Sequence, residues 1–314
     1  NAFWDGSRMT YGDGSTTQGF NIMTALDVCG HEITHGVVQN TANLGSGEAG
    51  ALNEAFADIF GTCVEWFARP TQHDWLMGLD ISTTATPIRN MSNPNAQQQP
   101  DTYQGTYWDA NGEVHTNDGP CIYWFYLLSV GGSGTNDNSN AYTVSAITMA
   151  KASAIAYRAL TTYMTPSTTY ADVRNYTIQA AKDLYGACSN EVIQTTNAWY
   201  AVGVGNVYVS GTIAPNFIAS QVSSCSLPSA INFNNTTAAG QTFKWNFGDG
   251  TTSTNTNPSH TYIANGTYAV KLVATGCTAG SKDSILKTSY ITISAPSSPA
   301  SNGTNICSNT STSL

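Results

Sequence analysis

The sequence predicts a multidomain α+β protein in which a mainly α-helical unit is followed by a β-sandwich. Apolar residues recur at helical spacing in six segments of the first 206 residues. From residue 214 onward, Thr, Ser, Asn and β-branched residues alternate between turn signals, which is typical of short antiparallel strands. A chain of 314 residues is long enough to bury two hydrophobic cores.

The helical patterning follows a Gly- and aromatic-rich opening, NAFWDGSRMTYGDG, which predicts turns and short strands. It recurs in the segments 25–41, 50–69, 119–131, 141–163, 170–186 and 189–200. The predicted domains are a helical unit at 1–206, a linker at 207–213 and a sandwich at 214–296. Residues 297–314 begin as a Pro/Ser-rich linker, and Cys307 repeats the surroundings of Cys225. This segment is either the start of a second sandwich repeat or an ordinary Ser/Thr-rich tail.

The composition argues against several classes of partner. The net charge is −9 with only 11 Lys and Arg, so nucleic acid and anionic membranes are poor partners. No apolar run approaches the roughly 20 residues that a membrane span requires. Charged residues make up 10% of the chain, against about 25% in a typical soluble protein, and the Asn/Thr/Ser/Gly-rich remainder favours an extracellular protein. Seven cysteines leave at least one without a partner in the chain, and their pairing stays open.

The stretch VCGHEITHGVV, residues 28–38, combines residue types that bind and use a metal ion. On a helix, His31 and His35 share one face and offer both imidazoles to one ion. Glu32 points beside that ion, where it can hold a water molecule. The alternative is an ordinary helix with two histidines, so the motif needs a third ligand to be convincing.

Glu54, in GALNEAFADIF, is the candidate third ligand. A loop between the two segments lets their helices run antiparallel and face each other. Asp58 and Asn53 are candidates to accept the second ring N–H of each histidine. Carboxylates on a helix usually face solvent, but the residues around this pair are apolar, and buried carboxylates need a partner. The sequence therefore predicts a metal site.

Several motifs now match one family in its order and near its spacing: NAFWDG with YGDG, DVCGHEITHGV, GALNEAFADIFG, HTNDGPCIYWFYLL and KDLYG with AVGVG. From Asn1 to about Gly205 the chain resembles the thermolysin-like zinc metallopeptidases (family M4, the gluzincins). The resemblance implies a mainly α-helical catalytic domain that binds one catalytic zinc ion through His31, His35 and Glu54.

The resemblance also implies roles for residues around the metal. Glu32 would be the general base, and His115, in GEVHTNDG, would stabilise the tetrahedral oxyanion. Arg89 would hold a substrate carbonyl, and Asn1 with Ala2 would hydrogen-bond the substrate backbone.

Apolar residues would decide where the substrate is cut. Ile22, Val28 and Ile88 fall where the family lines its S1′ pocket, which implies cleavage on the N-terminal side of bulky hydrophobic residues.

The family also binds structural calcium, for which Asp27, Glu65 and Asp74 match ligands. Leu76 and Leu79 stand where further acidic residues are expected, so we predict one calcium ion and not a pair. The alternative is three ordinary surface carboxylates.

The chain departs from the family pattern in three ways. The loop LGSGEAG lacks the tyrosine that assists the catalytic histidine, and it is one residue short. Ala110 stands where a carboxylate should orient His115, so Asp109 is the candidate replacement. The family's upstream β-rich segment, its pro-region and a signal peptide are not in this chain, so we expect a chain truncated at both ends, with the N-terminal β part largely missing.

Residues 214–296 resemble a PKD domain, an Ig-like β-sandwich, through WNFGDG and NPSHTYIANGTYAVKL. Such a module implies contact with extracellular matrix or polysaccharide. The sequence is thus identified as a secreted, monomeric zinc endopeptidase acting on proteins or peptides. The alternative is an inactive metallopeptidase scaffold that serves as a binding or adhesion protein.

Overall fold

The computed structural model describes residues 1–209, 211–237, 242–277 and 281–296. These residues belong to two compact units, which divide after Tyr208. The possible second repeat with Cys307 lies outside the described residues. Within the described part, Cys29, Cys63 and Cys121 are free thiols, and no helix there is both long and apolar enough to span a membrane.

The first unit is mainly helical and the second is built of strands, which confirms the predicted fold class. The helices are α1 (Leu26–Gln39), α2 (Glu48–Ala68), α3 (Val114–Asn117), α4 (Gly119–Val130), α5 (Met149–Thr162), α6 (Tyr170–Tyr185) and α7 (Asn190–Ala201). Short strands accompany them: β1 (Ala2–Trp4), β2 (Met9–Tyr11), β3 (Leu76–Met77), β4 (Arg89–Asn90), β5 (Gly132–Thr135) and β6 (Ala141–Val144).

The helix predicted over 141–163 begins only at Met149. The residues before it form β6, which pairs antiparallel with β5. Alternating Ala-Tyr-Thr-Val residues suit a strand as well as a helix, and the glycines of β5 favour a hairpin over a continued helix. The prediction was therefore wrong at the start of this element and right for its later part.

Helices α1 and α2 run antiparallel, because contacts that move forward along α1 move backward along α2. They cross at two glycines. A Cβ on Gly61 would lie 2.4 Å from the carbonyl oxygen of Asp27, and one on Gly30 would lie 2.9 Å from the Cα of Gly61. Only glycine permits this approach, which brings the polar face of α1 directly against that of α2.

The core of the helical unit surrounds α2 and α4. Its largest fully buried side chains include Phe56, Trp124, Phe125, Tyr170 and Trp199. Trp124 stacks on Trp199 with ring centroids 4.7 Å apart. The apolar face of α2 packs against this core, and its polar face is directed toward α1.

A smaller apolar cluster lies beneath α1 and includes Ala2, Met23, Val28, Met77 and Ile81. It joins the β1–β2 hairpin to the strand pair β3–β4. The hairpin and α1 thereby form two walls of one depression.

The second unit is a β-sandwich with a cluster of buried aromatic residues between its two sheets. Its strands are β7 (Phe217–Ala219), β8 (Ser223–Ser224), β9 (Ser229–Asn235), β10 (Thr242–Asn246), β11 (Thr252–Ser253), β12 (Ser259–Tyr262), β13 (Gly266–Thr275) and β14 (Lys282–Ile293). The sheets have the orders β11-β10-β13-β14-β8 and β12-β9-β7. Trp245 is fully buried and donates its indole N–H to the Asn255 carbonyl, and Tyr262 donates to the Phe247 carbonyl.

Candidate active site

Three side chains from α1 and α2 converge at the crossing of the two helices. The Nε2 atoms of His31 and His35 are 3.0 Å apart. The carboxylate of Glu54 is 3.4 Å from His31 Nε2 and 3.8 Å from His35 Nε2. Among the described residues, no other group of three or more His, Cys, Asp or Glu side chains brings its ligand atoms this close together.

Each imidazole makes a hydrogen bond through Nδ1, which orients its Nε2 atom toward the cluster. His31 Nδ1 lies 2.7 Å from Asp58 Oδ1, and His35 Nδ1 lies 3.0 Å from Asn53 Oδ1. Both partners are oxygen acceptors, so each Nδ1 is a donor and Nε2 is the ring atom that faces the cluster. Asp58 and Asn53 thus lie where the sequence predicted them.

The cluster fits a metal cation. Oε2 of Glu54 is buried and accepts no hydrogen bond from any described residue. Two imidazole lone pairs and this unpartnered carboxylate oxygen repel one another unless a proton or a cation lies between them. Two histidines and a carboxylate are also the ligand set of many catalytic zinc sites, which leave a fourth position open.

Electrostatics favour a positive charge at the same point. Burial alone would lower the pKa of His31, but the carboxylates of Asp58 and Glu54 raise it to about 9. Burial would likewise raise the pKa of Glu54, yet the neighbouring histidines hold it below its usual range. An environment that retains a proton so strongly also attracts a dication.

Asp58 is held from a second direction by Arg89. The carboxylate is fully buried, and the Nε and Nη2 atoms of Arg89 both donate to it, with Nη2 at 2.6 Å. Although burial opposes ionisation, Arg89 and His31 hold the pKa of Asp58 below its usual range. The bidentate pair fixes the orientation of the His31 ring.

Glu32 lies on α1 between the two histidines and is 5% exposed. Burial raises its pKa, and the nearby Glu54 adds to the increase, while His31, His35 and a hydrogen bond from the Trp4 backbone oppose it. A carboxylate whose pKa is raised toward neutrality is a more effective proton acceptor and donor.

His115 lies on α3, and its Nε2 is 3.4 Å from Glu54 Oε2. Its Nδ1 lies 2.8 Å from a carboxylate oxygen of Glu113, and this contact holds the pKa of Glu113 below its usual range. The expectation that Asp109 orients the ring is corrected. The Asp109 oxygens instead accept the backbone N–H groups of Asn111 and Glu113. The sequence offered the signal, since Glu113 is only two residues before the histidine.

A cleft of about 690 Å³ opens over the cluster. Predicted substrate-binding residues that line it are Asn1, Ala2, Val28, Ile88 and Arg89. Ile22 is not among the lining residues and is 58% exposed, which corrects its assignment. Its neighbour Met23 lines the cleft instead, together with Met77, because a turn before α1 directs the second apolar side chain inward.

The predicted calcium ligands surround a region of negative charge at the far end of α2. Burial, together with the carboxylates of Asp27, Asp74 and Asp80, raises the pKa of Glu65 to about 7. Asp27 accepts the backbone N–H of Gly78, and Arg69 contacts both Glu65 and Asp80. Asp27, Glu65 and Asp74 do not converge as closely as the histidine cluster does, so a calcium ion here stays a prediction.

Comparison with known proteins agrees with this fold. Residues 1–39 match the thermolysin metallopeptidase catalytic domain, residues 42–204 its alpha-helical domain and residues 215–293 the PKD domain. The first unit therefore has the two-part organisation of a metallopeptidase and the second unit is a PKD module.

Individual relatives lead to the same class. The chain is 44% identical to the bacillolysin of Bacillus cereus over 210 residues, which is 65% of this chain and 36% of that protein. It is 43% identical to the thermolysin of Alicyclobacillus acidocaldarius, over 65% of this chain and 37% of the relative. The precursor of protealysin from Serratia proteamaculans superposes with a TM-score of 0.55 at 29% identity, covering 65% of each chain.

The chain belongs to the thermolysin metallopeptidase family and carries a PKD domain after its helical unit. It spans less than two-fifths of the length of these bacillolysin and thermolysin relatives.

Proposed function

We propose that this chain forms the active site of a secreted, zinc-dependent endopeptidase. The observation that carries the proposal is the convergence of His31, His35 and Glu54 beneath an open cleft, with a buried Glu32 beside them. When bound by these three ligands, zinc would supply Lewis-acid activation of a water molecule and of the scissile carbonyl.

The proton transfers are assigned to Glu32. It takes a proton from the attacking water and later delivers one to the leaving amine. Its burial and its raised pKa suit both steps, because the group must lose and gain a proton within one turnover. The hydrogen bond from the Trp4 backbone keeps the carboxylate at the floor of the cleft.

His115 is assigned to the developing oxyanion. Its side chain is 58% exposed at the cleft, and Nδ1 is engaged by Glu113. Because Nδ1 is committed to Glu113, Nε2 is the ring atom left to face the oxyanion of the substrate. Glu113 holds the ring in this orientation.

The cleft supports binding of an extended peptide. Within the described residues, β1 pairs only with β2, which leaves its other edge at Asn1 and Ala2 free to hydrogen-bond a substrate backbone. Arg89 is assigned to a substrate carbonyl. The apolar wall of Val28, Ile88 and the two methionines favours a bulky hydrophobic residue on the C-terminal side of the scissile bond.

The second unit is assigned to contact with an extracellular matrix or polysaccharide. Its outward strand positions carry polar residues such as Asn232 and Asn234, whose amides can bond hydroxyl groups. The small share of charged residues supports secretion, and we expect the protein to act as a monomer. One calcium ion near Asp27, Glu65 and Asp74 completes the proposal.

The test is peptide cleavage by the whole protein that contains this chain. Peptides with Leu or Phe after the scissile bond should be cut, those with Asp there should not, and a zinc chelator should stop cleavage. Glu32→Gln should keep one zinc per chain and lose at least about a hundredfold in turnover. Glu191→Gln, on α7, is the matched control and should keep both properties.

Two outcomes would contradict the proposal. Comparable turnover by Glu32→Gln would remove the proton-transfer assignment. A wild-type protein that binds zinc but cuts no peptide would favour the alternative, a binding protein built on a metallopeptidase scaffold.

A further inference from the structure

A buried polar pair lies behind His115 and has no role in the proposed chemistry described so far. Asp118 is fully buried and Gln99 is 4% exposed. The Gln99 amide nitrogen donates to the His115 carbonyl at 2.6 Å and to Asp118 Oδ1 at 2.7 Å. Both N–H groups of one amide are therefore committed, one to the backbone of His115 and the other to Asp118.

The bond to the His115 carbonyl matters because α3 has only four residues. The carbonyl groups at the end of a helix lack partners within it, so a helix this short cannot hold its own backbone in place. The His115 side chain contacts Glu113, which is 55% exposed, and approaches Glu54 at 3.4 Å. Gln99 is the buried contact that fixes this residue.

Asp118 connects the pair to the metal-binding helices. Its Oδ2 lies 3.4 Å from Arg89 Nε, and Arg89 in turn donates hydrogen bonds to Asp58. Asp58 holds the His31 ring. A continuous buried path of polar side chains therefore runs from a metal ligand on α1 to the backbone of His115.

Two carboxyl groups and one guanidinium are buried together along this path. Arg89 donates two hydrogen bonds to Asp58 and lies 3.4 Å from Asp118, whereas Asp118 accepts the Gln99 amide at 2.7 Å. Gln99 is therefore the hydrogen-bond partner that holds the Asp118 carboxyl group.

We propose that Gln99 and Asp118 are positioning residues, which fix the backbone of His115 relative to the metal-binding helices. Neither touches the substrate. They set the distance between the imidazole and the point where the oxyanion forms, and a shift of about 1 Å at such a group lowers a rate by up to about a hundredfold. The inference rests on the proposed function, because it gives His115 a reaction to serve.

A merely structural role would lower stability without depending on the His115 side chain, so the test is a double-mutant cycle in the whole protein. Gln99→Met keeps the shape of the side chain and removes both donors. It should lower kcat for peptide cleavage about 10- to 100-fold with a smaller change in KM. In a His115→Ala background, the same change should lower kcat less than about twofold, since no imidazole remains to be positioned. Gln97→Met is the matched control, with the same chemical change two residues away.

Asp118→Ala provides a second, independent cycle. It removes the acceptor that fixes Gln99, yet Arg89 keeps its pair with Asp58, so no buried charge is left alone. It should lower kcat by a smaller factor than Gln99→Met does, and this loss should again nearly vanish in the His115→Ala background. If Gln99→Met does not fold, this second cycle tests the positioning role.

The proposal is overturned if either variant leaves kcat unchanged, or lowers it by the same factor with and without the His115 imidazole. A wild-type protein without peptidase activity would overturn the proposed function first, whereas an active wild type with an additive cycle would overturn only the positioning role.

Discussion

Gly30 on α1 and Gly61 on α2 face each other where the two helices cross, so closely that a Cβ on Gly30 would lie 2.9 Å from the Cα of Gly61. His31 directly follows Gly30, and Asp58 and Glu54 lie about one and two turns before Gly61. The distances between the His31, His35 and Glu54 side chains therefore depend on how closely two glycines let the backbones approach.

Gly61→Ala should disturb the cluster without changing any ligand. The new methyl group would lie 2.4 Å from the Asp27 carbonyl, so the helices must separate at a cost of about 1–3 kcal/mol. Zinc titration and urea unfolding should show both weaker metal binding and lower stability. Ser46→Ala, an exposed change in the loop between the helices, is the control. Wild-type zinc affinity in Gly61→Ala would show that the crossing does not set the ligand spacing.

Asp58→Ala should be among the most damaging single substitutions. It leaves the buried Arg89 and the His31 ring without their shared carboxylate. Breaking one side of a buried ion pair costs about 3–5 kcal/mol, and loss of such a partner weakens metal binding about 10- to 100-fold. Denaturant unfolding and competition with a zinc chelator measure the two effects, with the exposed Asp13→Ala as control. Unchanged zinc affinity would argue against the role of Asp58 in orienting His31.

Calcium should stabilise the protein through Glu65. Burial and its acidic neighbours raise the pKa of this carboxyl to about 7, so a cation that neutralises the region relieves repulsion. At free calcium of 100 times Kd, one site adds about 2.7 kcal/mol. Thermal unfolding should show a calcium-dependent rise in Tm in the wild type and a much smaller one in Glu65→Gln, with magnesium as the comparison ion. An equal rise in both proteins would place the calcium elsewhere.

The start of α6 should show a defined pH dependence. Thr169 and Asp172 form reciprocal hydrogen bonds, and the backbone and hydroxyl of Thr169 lower the pKa of Asp172. A lowered folded-state pKa stabilises the protein at pH values above the unfolded value of about 3.9, and this stability is lost as the pH falls through the folded value. Asp172→Asn should therefore cost about 0.3–1 kcal/mol at pH 7, and much less at pH 3.

Urea unfolding at both pH values measures this difference. Asp283→Asn, an exposed change in the sandwich, is the control. Its free energy of unfolding should differ from that of the wild type by the same amount at both pH values. A constant gap between Asp172→Asn and the wild type at both pH values would assign the effect to shape and not to charge.

Much of the site was predictable because its signals are local. His31 and His35 share a helix face because they are four residues apart. The apolar residues around Glu54 and Asp58 in the sequence predict that these carboxylates are buried. The β-sandwich was equally readable from alternating strands and turn signals. These features depend on the periodicity of one element, which a sequence carries directly.

The failures came where the path of the backbone, which periodicity does not specify, decides which side chain makes a contact. Asp109 and Glu113 are both close to His115 in sequence, and only the turn between them decides which carboxylate reaches the ring. Ile22 and Met23 are adjacent apolar residues, and the backbone before α1 decides which one faces the cleft. Residues 141–144 suit a strand or a helix, and they form a strand because they pair with β5.

The sequence by itself determined the ligand types, the helix that carries two of them and the division into a helical unit and a sandwich. The tertiary structure decided how Gly30 and Gly61 set the helix separation, which side chains line the cleft, and how Gln99 and Asp118 come to lie behind His115. The physical reason is that periodicity and composition are properties of a single segment. Distances between segments follow instead from close packing and the pairing of buried polar groups, which exist only once the chain has folded.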